Sequence, residues 1–390
     1  MSEVNAISAA PQTSGHVVHL VGRVTDDVFG FLGPLSVTLA ERGIAQTVIL
    51  VDEPRHRHLL PHFHPTIRLV LCPANEGVAR RAANSLEALR AAVSTQPTAA
   101  IHLHGVVPSL IGAYAARTGR WPQRLYFSPH GSRSLGPFKP LGALALWLLR
   151  PMSGPQRQRA IANSSVEARL LERITREPVH VVESPVEDVF FETPRHPARR
   201  PLLVTGSRKP NADAAAMFAQ LAVLLNEESL KLSFNWFGTA DDDSRARLAA
   251  ANVAVIDALD ADERASRLAA GWIYVALGGD FGFPALLAEA MTLGLPCVVW
   301  NTPYHRDVIE HGKTGLVCSS QEELLTCVAE LIDSPDERSR LGAAAKAEAS
   351  RRFDGAKFRD SMVAAYRVSD PPRRNSSLSG NVSHWPQSQQ

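Results

Sequence analysis

The stretch PLLVTGSRKPNADAAAMFAQLAVLLNEESLKLSFNWFG (201–238) decides the fold prediction. Its two ends, 201–207 and 232–238, are short apolar runs typical of buried strands, and the segment between them has the composition of a helix over 211–225. The alternation continues with strands predicted at 253–259, 272–278 and 296–300. A strand, helix, strand rhythm of this kind predicts parallel strands joined by helical crossovers.

The N-terminal half repeats this rhythm. Strands are predicted at 17–24 (VVHLVGRV), 47–52 (TVILVD), 66–72 (TIRLVLC) and 99–104 (AAIHLH). Between the first two, DDVFGFLGP (26–34) is expected to be a glycine-containing loop, with Pro34 in the first turn of the following helix. The predicted fold class is α/β, with two Rossmann-like, doubly wound domains that face each other across a cleft.

Composition shifts along the chain set the expected domain boundaries. Residues 1–15 are predicted to be a disordered arm, 16–190 a Rossmann-like acceptor domain, and 198–352 a second Rossmann-like domain for the donor, with a Pro-rich linker between them. A C-terminal helix over 353–370 could cross back to the N-terminal domain. Residues 371–390 contain too few apolar side chains to pack and are expected to be disordered.

Charge and cysteine content exclude several classes of function. The net charge of +2 is too small for a protein that binds nucleic acid over its whole surface. The four cysteines are far apart and form no CxxC pair, so neither a zinc framework nor a disulfide framework is expected. No secretory signal or apolar run of membrane-spanning length is visible, which predicts a cytoplasmic protein.

The segment GGDFGFPALLAEAMTLGLPCVVWNTPYHRDVIEHGKTGLVC (278–318) carries the strongest functional signal. Pro284 is expected to open a helix after a glycine-bearing loop, leaving the backbone N–H groups from Gly282 to Ala285 free to bind an anion or a hydroxyl-rich ligand. The carboxylate of Glu289, five residues into that helix, can accept two hydrogen bonds from a vicinal diol such as a ribose. Gly294 is expected to end the helix.

This segment resembles the donor-binding signature of the family 4 glycosyltransferases of the GT-B type, which runs Glu-Gly-Phe-Gly/Pro, Glu-Ala-Met and then Gly-Leu-Pro-Val-Val. The resemblance implies that Glu289 holds the nucleotide ribose and that Phe281, Gly282, Phe283, Pro284 and Ala285 form the donor loop. The family's first Glu, which contacts the transferred sugar, is replaced here by Phe281. Asp280, one position earlier, is the expected partial substitute.

Two basic residues, Arg208 and Lys209, follow the first strand of the second domain and suit a diphosphate. The family binds donor phosphates with an Arg and a Lys at this place, although usually several residues apart. In the first domain, Gly30 and Gly33 would let the backbone approach a phosphate or an acceptor closely. Because the spacing is not GxGxxG, a dinucleotide site is disfavoured, even though Asp52 ends the second strand.

Histidines provide the remaining candidates. His130 precedes Gly131, as in the His-Gly pair with which the family faces the donor sugar, and His104 resembles a family position near the cleft, where contact with the acceptor is the expected role. A lone histidine is more often structural. The run HRHLLPHFH (56–64) raises the question of a metal, but Pro61 interrupts it and no acid lies within it, so a solvated loop and no metal site are predicted.

The resemblance implies a retaining glycosyltransferase that moves a hexose-type sugar from a UDP- or GDP-sugar to a glycan or lipid-linked acceptor, with bacterial surface polysaccharide synthesis as the expected setting. No further cofactor and no nucleic acid are expected. The alternatives are a nucleotide-sugar epimerase or hydrolase of the same fold, and a catalytically weak or inactive nucleotide-sugar-binding protein. The stretch 138–159 mixes Leu, Trp and basic residues, which fits either a core helix or peripheral contact with the inner membrane face.

Overall fold

A computed structural model describes residues 15–74, 77–95, 100–121, 123–130, 158–175, 178–227, 232–257, 260–278 and 282–366. Several predicted features lie outside these residues: Asp280 and Phe281, nearly all of the stretch 138–159, almost all of the N-terminal arm and the whole C-terminal tail. Within the described part of the chain, no helix is both long enough and apolar enough to cross a bilayer.

The first lobe is built on a parallel sheet whose strand order is β3-β2-β1-β4-β5-β6-β7. Every observed strand pair in it is parallel, and His19 lies beside Val48 on one side and His102 on the other. The elements are β1 (His16–Val21), α1 (Asp26–Glu41), β2 (Ala45–Asp52), a 3-10 helix (Pro54–His62), β3 (Arg68–Pro73), α2 (Val78–Thr95), β4 (Ala100–His104), α3 (Val106–Thr118), β5 (Arg124–Ser128), β6 (Gln158–Ala162), α4 (Ser165–Thr175) and β7 (His180–Val181).

The second lobe repeats the architecture with the order β10-β9-β8-β11-β12-β13, again all parallel. Its elements are α5 (Asp188–Glu192), β8 (Leu202–Ser207), α6 (Ala212–Glu227), β9 (Ser233–Gly238), α7 (Asp242–Ala250), β10 (Val253–Ile256), α8 (Ala261–Ala269), β11 (Ile273–Ala276), α9 (Ala285–Leu293), β12 (Cys297–Trp300), α10 (Pro303–Val308), β13 (Leu316–Cys318), α11 (Gln321–Asp333) and α12 (Pro335–Arg352); α13 (Gly355–Tyr366) follows. The predicted fold class, two Rossmann-like doubly wound domains, is confirmed.

Apolar layers cover both faces of each sheet, as buried parallel strands require. In the second lobe, Trp236 and Phe218 are fully buried in one layer, and Met291 and Phe353 are fully buried in the other. The long apolar runs that predicted these strands are therefore buried on both sides. The sheets are rigid platforms, and the loops at their carboxyl ends are available for binding.

The last described helix, α13, packs on the first lobe. Phe358, Met362 and Tyr366 are buried in the same core cluster as Phe31 and Leu35 of α1. The chain thus passes between the lobes twice, and the two passages touch where Val186 N–H donates to the Phe353 carbonyl at 2.9 Å. These two crossings hold the lobes in position relative to each other.

Two local predictions in the first lobe are wrong. The segment 26–34 is not a loop: α1 begins at Asp26, capped by Thr25 Oγ1, which accepts from Val28 N–H at 3.4 Å, and Pro34 lies inside the helix. A cap residue followed by apolar side chains favours a helix more strongly than two glycines oppose it. The run 56–64 is also not an irregular loop, since most of it forms the 3-10 helix that begins at Pro54.

Candidate active site

A cavity of about 960 Å³ separates the carboxyl ends of the two sheets and is lined by both lobes. Its lining includes ten of the predicted site residues: Gly30, Gly33, His130, Arg208, Lys209, Gly282, Phe283, Pro284, Ala285 and Glu289. His104 does not line the cavity but lies behind His130, whose Nε2 is 2.8 Å from His104 Nδ1. The sequence therefore located the cleft, although it did not give the contacts inside it.

The loop between β8 and α6 brings two cations to the cleft. Gly206 is required here, because a Cβ would clash with the backbone carbonyl of Phe237 in the neighbouring strand. The loop closes where Asn211 Oδ1 caps α6 by accepting from Ala214 N–H at 3.1 Å. Arg208 and Lys209 lie between these two fixed points, so a rigid turn presents both side chains at the end of the sheet.

Each of these cations has an acidic partner in the structure. The Arg208 guanidinium donates to Glu289 in α9 of the same lobe. The Lys209 ammonium forms an ion pair across the cleft with Asp27, in the first turn of α1 of the other lobe. A phosphate entering the cleft would thus meet cations that already hold carboxylates.

Glu289 is only 3 % exposed and is held between two arginines. Arg264 of α8 binds it with both ends of its guanidinium, with Nε 2.9 Å from Oε2 and Nη2 3.1 Å from Oε1. The Arg264 guanidinium carbon also lies 5.3 Å from the centre of the Phe190 ring, which restricts its orientation. Both Glu289 oxygens thus already accept from arginines, and a diol would have to share the carboxylate with them.

The start of α9 differs from the prediction in one detail. Pro284 occupies the cap position and has no N–H, and Ala285 N–H donates to the Phe283 carbonyl at 2.9 Å. Intrahelical bonding begins with Ala288 N–H, which donates to the Pro284 carbonyl at 3.0 Å. Of the four predicted positions, Pro284 and Ala285 thus offer no free N–H, and the anion-binding capacity depends on the amides of Gly282 and Phe283 and on the helix N-terminus.

The glycines of α1 form the opposite wall. At Gly30 a Cβ would lie 3.6 Å from Arg208 Nη1, which is ordinary contact, so the guanidinium of one lobe lies beside a helix of the other. At Gly33 a Cβ would lie 3.0 Å from the Phe29 ring of the same helix, so that position is tight.

His130 belongs to a group of four histidines at the end of the first sheet. Its backbone is left-handed, with φ of 52°, which is uncommon for a residue with a side chain. Its ring is parallel to that of His104, and His104 Nε2 is 3.1 Å from His19 Nδ1. His102 lies against His104 with ring centres 3.9 Å apart and contacts Tyr366 Oη at 2.5 Å and Ser128 Oγ at 2.9 Å.

Burial keeps these histidines neutral. Desolvation lowers the pKa of His19 to about 3 and the pKa of His130 to about 4, and for His130 the nearby Asp27 partly opposes the decrease. The pKa values of His102 and His104 are also well below the ordinary value, mainly through burial and also through their histidine neighbours. At neutral pH the first lobe therefore presents the uncharged imidazole of His130 to the cleft, with the other three uncharged histidines behind it.

Metal binding by histidine was considered for the run 56–64, but the structure brings other histidines together. Among the described residues, His19, His102 and His104 each offer a nitrogen within 4.8 Å of the others. Both His102 nitrogens, however, already contact hydroxyl groups, and one nitrogen of His104 contacts His19. The arrangement fits a hydrogen-bonded cluster better than a tetrahedral metal site.

Two residues of the site were missed by the sequence analysis. Asp27 lies in the stretch that was interpreted as a loop, and only the helix places it opposite Lys209. Arg264 lies in the polar helix α8, where nothing in the local pattern distinguishes it from the exposed Arg267. Pairing across the sheet or the cleft is a tertiary property, and no local sequence signal could have revealed it.

Comparisons with known families match both lobes. Residues 34–189 match the model described as Glycosyltransferase Family 4, and residues 236–348 match the model described as Glycosyl transferases group 1. No curated protein matches the chain significantly by sequence.

Solved structures with the same fold were found over most of the chain. HepE from Anabaena in complex with UDP and glucose has a TM-score of 0.74 at 16 % identity, covering 90 % of this chain and 99 % of that one. A TarM variant from S. aureus, in complex with fondaparinux, alpha-GlcNAc-glycerol and UDP, has 0.71 at 9 %, covering 90 % and 99 %. A Listeria monocytogenes protein described as a UDP-N-acetylglucosamine 2-epimerase has 0.60 at 14 %, covering 90 % and 95 %.

The two domain matches, the paired parallel sheets and the cleft between them agree with one another. The chain belongs to the group 1, family 4-like glycosyltransferases of the GT-B fold.

Proposed function

We propose that the protein is a retaining glycosyltransferase that moves a hexose-type sugar from a UDP- or GDP-sugar to a glycan or lipid-linked acceptor, as in the synthesis of bacterial surface polysaccharides. The observation that carries the proposal is the pair Arg208 and Lys209 on a rigid turn at the cleft, beside the buried Glu289. The UDP in the HepE and TarM structures supports a nucleoside diphosphate as the leaving group.

The diphosphate would take over cations that hold carboxylates in the structure. Lys209 and Asp27 are 54 % and 32 % exposed, so their ion pair is screened by water and is easily replaced by a phosphate of higher charge. Arg208 is more buried, at 23 %, and offers a planar fork that fits two phosphate oxygens. Arg208 would therefore supply most of the binding energy, and Lys209 would add a mobile charge.

Glu289 would bind the ribose with only part of its carboxylate. Its two oxygens have about four acceptor positions. Oε1 receives Nη2 of both Arg208 and Arg264, and Oε2 receives Nε of Arg264. One position on Oε2 remains for a ribose hydroxyl, and a second hydroxyl would need Arg208 to move towards the phosphates.

The transfer step would use positive charge and no protein base. The bond between the sugar carbon and the phosphate oxygen breaks, and its electron pair leaves with the diphosphate, stabilised by Arg208, Lys209 and the backbone amides of the donor loop. The acceptor hydroxyl attacks the same face of the sugar and passes its proton to a diphosphate oxygen. His130, which lines the cleft from the other lobe, would contact the sugar.

Calorimetric titration with UDP, GDP and ADP tests the donor assignment on the wild type and on Glu289→Gln. The amide retains the shape of the carboxylate but lacks its charge, so we expect at least about tenfold weaker binding, because the two arginines lose their common anchor. Arg267→Ala, which removes an exposed arginine of the same helix as Arg264, serves as the control. Equal affinity of Glu289→Gln and the wild type would contradict the assignment.

Release of the nucleotide with and without added acceptor separates transfer from the alternatives. A glycosyltransferase releases the diphosphate faster when a glycan or lipid-linked acceptor is added. A hydrolase releases it at the same rate without acceptor, and an epimerase, as in the description of the Listeria structure, converts the sugar nucleotide itself. Binding with no turnover on any acceptor would indicate an inactive nucleotide-sugar-binding protein.

A further inference from the structure

A continuous row of polar side chains runs from the cleft into the core of the first lobe. It begins at His130 on the cleft and continues through His104 to His19, with nitrogen-to-nitrogen distances of 2.8 Å and 3.1 Å. Gln46 on β2, which is 3 % exposed, lies at the inner end, because it stands two residues before Val48, the strand partner of His19, and therefore on the same face of the sheet. No step of the proposed mechanism uses the inner three residues, so their arrangement needs its own explanation.

The orientation of Gln46 is fixed by its neighbour. Its side-chain Nε2 donates to the Ser36 carbonyl at 2.8 Å, and a carbonyl can only accept, so the amide nitrogen must be on that side. The other amide atom, Oε1, is buried and has no partner at standard geometry among the described residues, and the same is true of His19 Nε2. The Gln46 side chain raises the pKa of His19 against the larger effect of burial, as an oxygen facing an imidazole N–H does.

The proton positions along the row then follow from neutrality. An uncharged imidazole has one N–H and one bare nitrogen. If His19 Nε2–H faces Gln46 Oε1, His19 Nδ1 is bare and accepts from His104 Nε2–H. His104 Nδ1 is then bare and accepts from His130 Nε2–H, so the nitrogen left without a proton is His130 Nδ1.

We propose that Gln46 is a positioning residue that, through His19 and His104, holds His130 as the tautomer with a proton on Nε2 and a lone pair on Nδ1. His130 Nδ1 is buried and has no hydrogen-bond partner in the described part of the chain, and it belongs to a residue that lines the cleft. It is therefore an acceptor for a hydroxyl group of the ligand and cannot donate a hydrogen bond from this atom. The assignment of that hydroxyl to the transferred sugar rests on the proposed function.

The tautomer affects which way a substrate hydroxyl points. A hydroxyl that donates to His130 Nδ1 directs its own lone pairs away from the imidazole and towards the donor side of the cleft. The reverse tautomer would place an N–H there and turn the hydroxyl around. A residue that is far from the cleft surface thus selects the hydrogen-bond pattern of the sugar pocket.

Long-range proton–nitrogen NMR of the full-length protein, labelled at histidine nitrogen, reads the tautomer of each ring directly. At neutral pH without substrate we expect His19, His104 and His130 all to be Nε2–H tautomers. An Nδ1–H tautomer at His130 in the wild type overturns the proposal. This measurement needs no donor and no turnover, so it stands apart from the test of the proposed function.

Two substitutions of Gln46 separate positioning from packing. Gln46→Glu keeps an acceptor that faces His19, and we expect His130 to remain the Nε2–H tautomer. Gln46→Met has a similar length but no acceptor, and we expect a population of the reverse tautomer at His130, with kcat at least about tenfold lower and the donor KM unchanged. An unchanged His130 tautomer in folded Gln46→Met overturns the proposal.

Zinc binding is the competing explanation for the same histidines. Stoichiometric Zn²⁺ added to the wild type would shift the nitrogen signals of His19, His102 and His104 together if they formed a metal site. We expect these signals to remain where they are, because the rings bond to one another and to Ser128 and Tyr366. A saturable shift at one equivalent of Zn²⁺ overturns the proposal.

Discussion

The two walls of the cleft use different chemistry. On the second lobe, full charges alternate from Arg208 through Glu289 to Arg264. We call this the charged wall. On the first lobe, the part of the wall at His130, which we call the neutral wall, is backed by neutral imidazoles and hydroxyl groups joined by hydrogen bonds. Both walls stand at the carboxyl ends of similar parallel sheets, so the difference comes from side chains and not from the fold.

This difference suits a ligand with two unlike ends. A nucleoside diphosphate carries several negative charges and needs cations, whereas a sugar is uncharged and is recognised through hydroxyl groups. A neutral wall can approach a developing positive charge on the sugar without repelling it. The sheet thus provides position, and each lobe supplies its own electrostatics.

Acid should destabilise the protein through the neutral wall. The pKa of His19 is lowered to about 3 and that of His130 to about 4, so between these values and about 6.5 the unfolded chain binds protons that the native protein does not. Stability is therefore complete above about pH 6.5 and decreases as the pH falls. We expect these two residues alone to lower the free energy of unfolding by about 3 kcal/mol as the pH falls from about 7.5 to 5.5.

Urea unfolding at several pH values measures this slope. Because desolvation is the main cause of the lowered pKa values, high salt should leave the slope nearly unchanged, whereas it weakens binding of a nucleotide to the charged wall. A flat stability profile over this pH range would mean that the histidines become protonated in the folded protein.

Removal of Arg208 should affect only the charged wall. We expect Arg208→Ala to weaken nucleoside diphosphate binding by about 100-fold, equal to about 2.7 kcal/mol, because a bidentate, partly buried cation is lost. Arg267→Ala is the matched control, since Arg267 forms an exposed ion pair with Glu263 on α8. Calorimetric titration measures the affinity of both variants, and a loss of affinity below about threefold in Arg208→Ala would contradict the role given to Arg208.

Tyr366→Phe should destabilise the neutral wall without changing the charged one. The substitution removes the hydroxyl that His102 Nδ1 contacts at 2.5 Å and leaves a buried nitrogen without its partner. We expect a loss of about 1–3 kcal/mol in unfolding free energy with unchanged nucleotide affinity. Tyr114→Phe, at a tyrosine that is 57 % exposed on α3, should change neither quantity. Equal stability of the two variants would contradict this expectation.

Asp27→Asn should have the smallest effect, and it should be a gain. Asp27 holds Lys209 across the cleft, so its neutralisation frees the lysine for phosphate. Since the pair is largely exposed, we expect nucleotide affinity to rise by no more than about threefold. Asp336→Asn, which removes an acid from the first turn of α12, is the control. Weaker binding by Asp27→Asn would mean that Asp27 assists the ligand instead.

How much the sequence predicted depends on the range of the interactions involved. The strands were predictable because buried parallel strands are continuous apolar runs, and the cleft followed from two such sheets. The start of α1 was missed because the N-cap at Thr25 outweighs Gly30 and Gly33, a balance that a residue pattern does not quantify.

The site itself was only partly predictable. Positions such as Arg208 and Glu289 could be placed at the cleft from their location after a strand and on a helix. Their mutual pairing, the part played by Arg264, and the row from Gln46 to His130 join residues that are far apart in the chain. Such contacts depend on the folded arrangement, which no local pattern records.

The docking of α13 on the first lobe has a consequence for synthesis on the ribosome. Phe358, Met362 and Tyr366 complete a core whose strands are translated first, and the whole second lobe is translated in between. During that interval the nascent first lobe exposes the apolar surface that α13 later covers. A cell that makes this protein must therefore keep a half-finished domain from aggregating until nearly the last described residue has emerged.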